Sequence, residues 1–469
     1  MKIALDAMGG DLAPKAIVEG AVMAARDLAI EIVLIGDREM IAKELGTYRT
    51  QDLSLTIEHA GEAVAMDESP LESMLDKPDS SINVGLEMVK QGRADAFVSA
   101  GNSGAVMATA MAILGTLPGV DRPAIASLVP TSAGLALLID AGANTEVKPI
   151  NLVQFGVMGS VYWKHVHQAE HPRVAILSNG EEESKGTELT RSAAAMLAAM
   201  APEINYIGYV EGRDINRAHA DVVVTDGFTG NVALKTMEGF AAFMMGNLRE
   251  LFATGVMRRF AYLLVRKRMS AMRARLDPSE YGGAPLMGVG GVAIIAHGSS
   301  NARAIRNAVR AAANEALVNQ VNAEIAAILA KVPNASSPGK TAGKGIRGLF
   351  GRMRERLSRH REAGDRRPEA ERGEGGRKTG PLAAPEHADS HNGTEVVLHP
   401  EAVLDPQVYG VNHRREAPNG VAKVPAAEPH EETSDLSTAS GKNSPGQAGM
   451  PDHVDIKKLT GGAPDVKQS

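Results

Sequence analysis

The stretch Ile3-Ala4-Leu5-Asp6-Ala7-Met8-Gly9-Gly10-Asp11 at the start of the chain decides the fold class. Its first three residues are apolar and predict a short buried strand, and the glycines that follow predict a tight loop. Residues 14–28 then carry apolar side chains at helical spacing, with Pro14 in the first turn, where proline is favoured. A buried strand, a short loop and a helix in this order indicate an α/β fold.

The alternation of strand and helix continues to residue 332. Helices are predicted at 14–28, 82–91, 146–167 and 301–331, the last one with Ser299 or Ser300 as its N-cap. Strands are predicted at 3–5, 30–36, 53–59, 95–100, 125–129, 135–139, 174–177, 204–208 and 222–225. Apolar strands that alternate with helices predict a parallel sheet covered by helices on both faces.

The composition changes at residue 333. The segment 333–469 holds 13 of the 24 prolines, and Ile, Leu, Val and Phe make up only 19 of its 137 residues. That share is below the roughly 20% that a chain needs to bury enough apolar surface to fold. We therefore expect a folded core, 1–332, that carries the chemistry and a disordered tail, 333–469.

Composition and charge exclude several classes of function. The 50 basic and 56 acidic residues give a formal net charge of −6, which argues against nucleic acid as a partner. The chain has no cysteine, which excludes disulfides, cysteine-ligated zinc, iron–sulfur clusters and a cysteine nucleophile. An acidic residue at position 6 argues against a signal peptide, and the longest apolar run, 286–296, is about half of what a spanning helix needs. We expect a cytoplasmic protein whose membrane contact is limited to its surface.

Small and polar residues follow five of the predicted strands. They form the segments 6–11, 101–105, 140–144, 178–181 and 226–231. Because the carboxyl ends of parallel strands meet at one edge, where ligands bind, we expect these five loops to lie together. Glycines let backbone N–H groups approach a ligand, and helix N-termini favour anions. Each loop alone is ordinary turn chemistry, but five loops at one edge predict an anion-binding site.

Two side chains in these loops favour phosphate as the anion. Ser103 lies in Gly101-x-Ser103-x-Ala105, which is close to a nucleophile elbow, but the final glycine is missing and no histidine stands in a triad context. We therefore interpret Ser103 as an anion ligand and not as a nucleophile. Lys185 follows the strand at 174–177, and its flexible ammonium suits phosphate; the alternative is an ordinary solvated loop.

Seven linked segments within residues 1–330 form a specific pattern. They are Ala4-Leu5-Asp6-Ala7-Met8-Gly9-Gly10-Asp11 with Pro14, Ser99-Ala100-Gly101-Asn102-Ser103-Gly104-Ala105, Asp140-Ala141-Gly142-Ala143-Asn144, Ser178-Asn179-Gly180-Glu181-Glu182 with Lys185-Gly186-Thr187, Thr225-Asp226-Gly227-Phe228-Thr229-Gly230-Asn231, Tyr281-Gly282-Gly283-Ala284-Pro285-Leu286 and His297-Gly298-Ser299-Ser300-Asn301. Together they resemble the bacterial phosphate acyltransferases, which make acyl-phosphate from acyl-acyl-carrier protein and inorganic phosphate for phospholipid synthesis. The match departs mildly at Gly290-Gly291, where the family often has Asn-Gly.

This resemblance implies a three-layer, Rossmann-like α/β fold with a parallel or mixed sheet, similar to isopropylmalate dehydrogenase and phosphotransacetylase. It also implies a homodimer that uses neither a cofactor nor a metal. The partners it implies are acyl carrier protein, inorganic phosphate and the downstream glycerol-3-phosphate acyltransferase. Phosphate is partly ionised at neutral pH, so it can attack the thioester directly if the protein holds it in place and stabilises the oxyanion.

The site residues are assigned on that basis. Lys185 is expected to neutralise phosphate, Asp226 to orient Lys185 or a donor amide, and His297 to protonate the leaving thiolate. The expected phosphate and oxyanion donors are Gly10, Asn102, Ser103, Ser178, Asn179, Thr229 and Asn231.

Three alternative functions remain open at this point. The first is a phosphotransacetylase that acts on small acyl-coenzyme A. The second is an oxidoreductase like isopropylmalate dehydrogenase, although we find no suitably spaced Asp-x-x-x-Asp late in the core. The third is a non-enzymatic scaffold at a lipid surface.

Residues 256–276 form a basic amphipathic segment without a single acid. Its apolar side chains fall at helical spacing among seven cations, a pattern that is typical of helices in the headgroup region of anionic membranes. We expect peripheral membrane association through Arg258, Arg259, Phe260, Leu263, Leu264 and Lys267. The alternative is a helix whose apolar face packs on the core or across a dimer.

Overall fold

The computed structural model describes residues 1–253, 255–317 and 321–332. The first half of this part contains β1 (Lys2–Asp6), α1 (Lys15–Leu28), β2 (Glu31–Gly36), α2 (Arg38–Leu45), β3 (Leu55–His59), α3 (Pro70–Asp76), α4 (Ser81–Lys90), β4 (Ala96–Ser99), α5 (Ser103–Ile113), β5 (Ala124–Thr131) and β6 (Gly134–Ile139). The second half contains α6 (Pro149–His167), β7 (Arg173–Leu177), α7 (Glu188–Ala198), β8 (Asn205–Val210), β9 (Val222–Val224), α8 (Gly227–Ala253), α9 (Val256–Leu276), β10 (Ala284–Met287), β11 (Val292–Ile295), α10 (Ala302–Leu317) and α11 (Val321–Leu329).

The strands of the described residues form one sheet in the order β3-β2-β1-β4-β11-β10-β5-β6-β9-β7-β8. Helices cover both faces, because side chains alternate along the strands. Ile3 and Leu5 of β1 pack with α1 and α10, whereas Ala4 packs with α4 and α5 on the other face. The predicted α/β fold with helices on both faces of the sheet is therefore confirmed.

The sheet is mixed, and this overturns the prediction that all five loops share one edge. Three successive pairings are antiparallel, β11 with β10, β10 with β5 and β5 with β6. An odd number of reversals makes β6, β7, β8 and β9 run opposite to β1 and β4. The loops after β1 and β4 therefore leave the sheet at the opposite end from the loops after β6, β7 and β9.

The C-terminal part of the core differs from the prediction in three ways. Strands β10 and β11 were not predicted. The single helix expected at 301–331 is described as α10 and α11. The N-cap of α10 is Asn301 and neither of the predicted serines, because the N–H of Ala304 donates to Asn301 Oδ1 at 3.0 Å. The tail predicted at 333–469 lies outside the described residues.

Helices α8 and α9 project most of their side chains into solvent. They follow one another at the end of β9, and few of their residues are buried by the rest of the chain. The C-terminal end of α9 returns to the core, where the Arg275 side chain donates to the Thr131 carbonyl and the Tyr281 hydroxyl donates to the Arg275 carbonyl. No helix in the described ranges combines the length and apolar character needed to cross a bilayer.

Candidate active site

The loops after β1, β3, β4 and β11 meet at the N-terminus of α5, and we call them the α5 group (residues 6–11, 65–70, 99–104 and 297–301). The N–H of Asp11 donates to the Gly298 carbonyl at 2.8 Å. Gly9 and Gly10 lie so close to Gly101 and Gly298 that a Cβ at either would be within 2.9 Å of their backbone atoms. Glycine is required here because the backbones of separate loops touch.

The Asn102 side chain is the N-cap of α5. Its Oδ1 accepts from the N–H of Ala105 at 3.0 Å. Its Nδ2 donates to the carbonyls of Glu68 at 2.9 Å and Met66 at 3.2 Å, and so ties the 65–70 loop to the helix. Both N–H donors of the amide are engaged in this arrangement, which gives Asn102 a positioning role. Its predicted role as a phosphate donor stays a prediction.

The first turn of α5 is open. Ser103, its first residue, is exposed. The N–H groups of Ser103 and Gly104 have no hydrogen-bond acceptor within the described part of the chain. First-turn N–H groups have no partner inside a helix, and together they carry about half a positive charge. These two amides and the Ser103 hydroxyl thus form a set of donors suited to an anion.

Asp6 lies behind this turn and is fully buried. It accepts from the Ser99 hydroxyl at 2.7 Å and from the N–H of Met8 at 3.0 Å. Burial raises the pKa of Asp6 above its ordinary value, against the effect of these hydrogen bonds.

His297 also belongs to the α5 group. Its Nδ1 lies 2.8 Å from the Ser299 hydroxyl and 3.2 Å from the Ser299 N–H, which donates to it. Because Nδ1 accepts, the neutral ring carries its proton on Nε2. The ring is exposed, so Nε2–H can donate a hydrogen bond to a group that approaches from solvent. The role of His297 in protonating the leaving thiolate stays a prediction.

The loops after β6 and β9 form a separate cluster, the α8 group (residues 140–144 and 225–231). The Asp140 carboxylate is completely buried and accepts from the N–H groups of Ile125, Gly142, Ala143 and Asn144 and from Asn144 Nδ2, at 2.7–3.2 Å. The Asn144 carbonyl in turn accepts from the N–H of Gly227 at 2.7 Å. Burial raises the pKa of Asp140, while the Ala143 and Asn144 donors oppose the shift. Asp140 thus fixes the 140–144 loop, and this loop in turn holds Gly227, the first residue of α8.

Asp226 is the N-cap of α8. Its Oδ1 accepts from the Thr229 N–H at 2.9 Å, and its Oδ2 accepts from the Thr229 hydroxyl at 2.7 Å. No described hydrogen bond or ion pair joins Asp226 to Lys185. Asp226 therefore holds both the backbone amide and the hydroxyl of Thr229. The catalytic role of Asp226 and the phosphate role of Thr229 stay predictions. Asn231 lies next to Gly142 in the same group.

The loop after β7 is held by its own side chains. Asn179 Oδ1 accepts from the N–H of Gly186 at 2.9 Å, and the Ser178 hydroxyl lies 3.4 Å from the same oxygen. The aliphatic stem of Lys185 lies against Gly180. The phosphate roles of Lys185, Ser178, Asn179 and Asn231 stay predictions.

The N-termini of α5 and α8 differ in the charge of the side chain that caps them. The α8 terminus is capped by the carboxylate of Asp226, which already compensates the helix dipole and repels a second anion. The α5 terminus is capped by the neutral amide of Asn102 and keeps two amides open. Of these two termini, α5 is therefore the more favourable one for an anion.

The segment that sequence reasoning missed is 65–70. It is joined to α5 by Asn102, and Pro70 lies against Gly104, where a Cβ would be 2.7 Å from the proline Cγ. The only signal for it in the sequence is Ser69-Pro70, which is typical of a helix start.

The predicted amphipathic helix at 256–276 is confirmed in its bounds. Leu263 and Leu264 do not pack on the core of the same chain, because they are 56% and 75% exposed. At these two residues the structure argues against packing on the core, and packing across a dimer stays open. The side chains of Arg258 and Lys267 are exposed as well.

Comparison with known proteins identifies relatives over the whole core. The model of a family described as "Fatty acid synthesis protein" matches residues 1–324. The phosphate acyltransferase of Geobacter sulfurreducens is 48% identical over 336 residues, which are 70% of this chain and 96% of that protein. The phosphate acyltransferase of an Anaeromyxobacter species is 50% identical over 329 residues, 70% of this chain and 90% of that protein. Among solved structures, a phosphotransacetylase from Streptococcus pyogenes aligns with a TM-score of 0.46 and 18% identity, over 68% of this chain and 94% of that one.

Proposed function

The chain belongs to the phosphate acyltransferase family and is an acyltransferase, and from this premise we propose that it transfers a fatty acyl group from acyl-acyl-carrier protein to inorganic phosphate. The product is an acyl-phosphate for glycerophospholipid synthesis. The observation that carries the proposal is the open first turn of α5, where the N–H groups of Ser103 and Gly104 and the Ser103 hydroxyl are available to an anion. The loop that contains Gly10 lies beside this turn, with Gly10 against the carbonyls of Ala100 and Gly298.

In the proposed reaction, phosphate binds at the first turn of α5 and one of its oxygens attacks the thioester carbonyl carbon. The carbonyl oxygen takes up negative charge, which the helix N-terminus stabilises, and the carbon–sulfur bond then breaks. The step moves one proton: hydrogenphosphate loses it as the acyl–oxygen bond forms, and the leaving sulfur takes it up. We propose that His297 passes this proton on through Nε2, so that the ring ends the step in the protonation state in which it began. No covalent enzyme intermediate is formed.

A homodimer is part of the proposal. Helix α8 exposes a long apolar stripe, which monomeric proteins rarely do. The members of this stripe are Phe228, Val232, Phe240, Phe243 and Leu251. We propose that a second copy of the chain covers it. Sedimentation equilibrium of wild type and of Phe240→Glu with Phe243→Glu tests this: the wild type should be dimeric and the variant monomeric.

Membrane contact is proposed for α9, whose exposed Leu263 and Leu264 lie among its cations. Leu263→Glu with Leu264→Glu should abolish sedimentation with phosphatidylglycerol vesicles and leave acyl-phosphate synthesis in solution intact. Ile207→Glu, at an exposed apolar position on β8, is the matched control and should still sediment. Equal sedimentation of both variants would contradict the proposal.

A glycerol-3-phosphate acyltransferase that consumes acyl-phosphate at the same membrane is proposed as the downstream partner.

The reaction is tested by incubating purified protein with phosphate and palmitoyl-acyl-carrier protein, and trapping acyl-phosphate with hydroxylamine. We expect phosphate-dependent hydroxamate and release of the carrier-protein thiol. Parallel reactions contain acetyl-coenzyme A, or NAD with a hydroxyacid. Turnover of acetyl-coenzyme A alone would assign the protein to small acyl donors, and reduction of NAD would refute acyl transfer.

A further inference from the structure

Exposed apolar side chains cluster at the rim of the α5 group. Outside α8 and α9, five large apolar side chains of the described residues are exposed: Leu12, Met40, Met66, Leu71 and Ile207. Single exposed apolar residues are normal, but three of these five lie in or directly beside the segments that meet at the N-terminus of α5. Leu12, Met66 and Leu71 are 49%, 46% and 50% exposed.

Contacts of the α5 group hold these three residues in place. Leu12 follows Asp11, whose N–H donates to the Gly298 carbonyl. Met66 lies against Gly298, where a Cβ would be 2.8 Å from the methionine Cε, and its carbonyl accepts from Asn102. Leu71 follows Pro70, which lies against Gly104. Leu12 and Met66 are therefore both positioned by Gly298, and Leu71 by the first turn of α5.

The packing of α3 on α5 stops short of Leu71. Met74 and Leu75 of α3 pack against Ala108 and Ala112 of α5. Leu71 lies one turn earlier on the same face of α3, at the level of the open turn of α5, and is left half exposed. The apolar seam between the two helices thus continues into solvent at the point where we place the phosphate.

We propose that Leu12, Met66 and Leu71 form the subsite for the aliphatic chain of the acyl donor, an inference that rests on the proposed function. Phosphate attacks only if the thioester carbonyl is about 3–3.5 Å from it, so the carbonyl must lie at the first turn of α5. The acyl chain leaves the carbonyl from that point. The apolar side chains that adjoin it are those of the rim, and burying methylenes against them provides the affinity for long donors.

The test compares a short and a long donor, butyryl- and palmitoyl-acyl-carrier protein, on the full-length protein. The butyryl chain has only two methylenes to place against the rim, and each methylene that loses an apolar contact costs roughly fourfold in affinity. Met66→Gln with Leu71→Gln should therefore lower kcat/KM for the palmitoyl donor by about 10-fold or more, and for the butyryl donor by less than about threefold. The KM for phosphate should not change. Ile207→Gln is the matched control and should leave both donors unaffected.

A second variant adds volume at the same place. Leu71→Trp should lower kcat/KM for the palmitoyl donor selectively by narrowing the subsite, and thermal unfolding of each variant checks that it folds. An equal fall for both donors, or no change for either, would overturn the subsite and leave the proposed function standing. A wild type that makes no acyl-phosphate from either donor would overturn the proposed function, and the subsite with it.

Discussion

Ser103→Asp should weaken phosphate binding and at the same time stabilise the fold. The two effects can therefore be told apart from general damage to the protein, which would weaken both. Ser103 is the exposed first residue of α5 and follows a neutral cap. A carboxylate in the first turn compensates the helix dipole, so the free energy of unfolding should rise by about 0.5 kcal/mol. A variant that damages the fold would instead lower it.

The same carboxylate should repel phosphate strongly. At about 5 Å and an effective dielectric constant of about 20, two like charges repel by about 3 kcal/mol. This corresponds to an increase in the KM for phosphate of more than 100-fold, since each 1.4 kcal/mol is about tenfold. Ser103→Asn has nearly the same shape without the charge and should raise this KM by less than about tenfold.

The assay follows the thiol of acyl carrier protein with a thiol-reactive chromophore, and the enzyme contributes no signal because it has no cysteine. Asp226→Asn provides the reciprocal control at α8. It keeps an N-cap side chain and removes the charge, so the KM for phosphate should stay within about twofold. Two results would refute the reasoning: similar KM values for Ser103→Asp and Ser103→Asn, or a lower KM in Asp226→Asn, which would locate the phosphate at α8.

Three further predictions concern stability and are checked by urea unfolding. His167 stacks on Trp163, and burial lowers its pKa from 6.5 to about 4. Between these two pH values the imidazole is protonated in the unfolded chain but not in the folded one. The free energy of unfolding therefore falls as the pH falls through this range. Relative to His167→Phe, wild type should lose about 2 kcal/mol between pH 7 and pH 5, and equal pH profiles would contradict this. Asp140→Asn should cost about 2–4 kcal/mol because an amide cannot accept all five hydrogen bonds. The control is Asp37→Asn at the N-cap of α2, where the half-buried Asp37 accepts only from the Met40 N–H; it should cost less than about 1 kcal/mol, and similar losses would contradict the role of Asp140. Asn102→Ala should cost about 2 kcal/mol, from the cap and the tie to the 65–70 loop, and a loss below about 0.5 kcal/mol would show that the tie is weak.

Local patterns predicted the elements well where one segment carries the whole signal. The first strand and helix follow from the apolar run at 3–5 and the spacing at 14–28, and the basic amphipathic helix begins and ends where its spacing does. The prediction of strand direction is wrong for β5 and β6, which are separated only by residues 132–133. Two residues are enough for a hairpin but too few for the crossover that parallel strands need. A connection this short requires an antiparallel pair, and the prediction of a parallel sheet did not take this into account.

The candidate site was predictable in its neighbourhoods but not in its roles. Sequence identifies Asn102 and Asp226 as polar side chains that suit a ligand or a helix cap. Which of these a side chain becomes depends on partners elsewhere, such as the Glu68 carbonyl, 34 residues before Asn102. Asp226 meets its partner only three residues on, yet Thr229 is equally suited to bind phosphate. Donors and acceptors can be counted from a sequence, but their allocation requires the fold.

The difference between the two helix N-termini has a consequence for stability. At α8 the chain compensates the helix dipole with its own carboxylate, Asp226, and gains the stability of a charged cap. At α5 the cap is neutral and the first turn ends in solvent, although an acid at position 103 would be stabilising. A position where a simple stabilising substitution is not used is typical of a site whose function needs the less stable arrangement. The open turn of α5 is therefore best explained by an anion that binds there during the reaction and leaves again as part of the product.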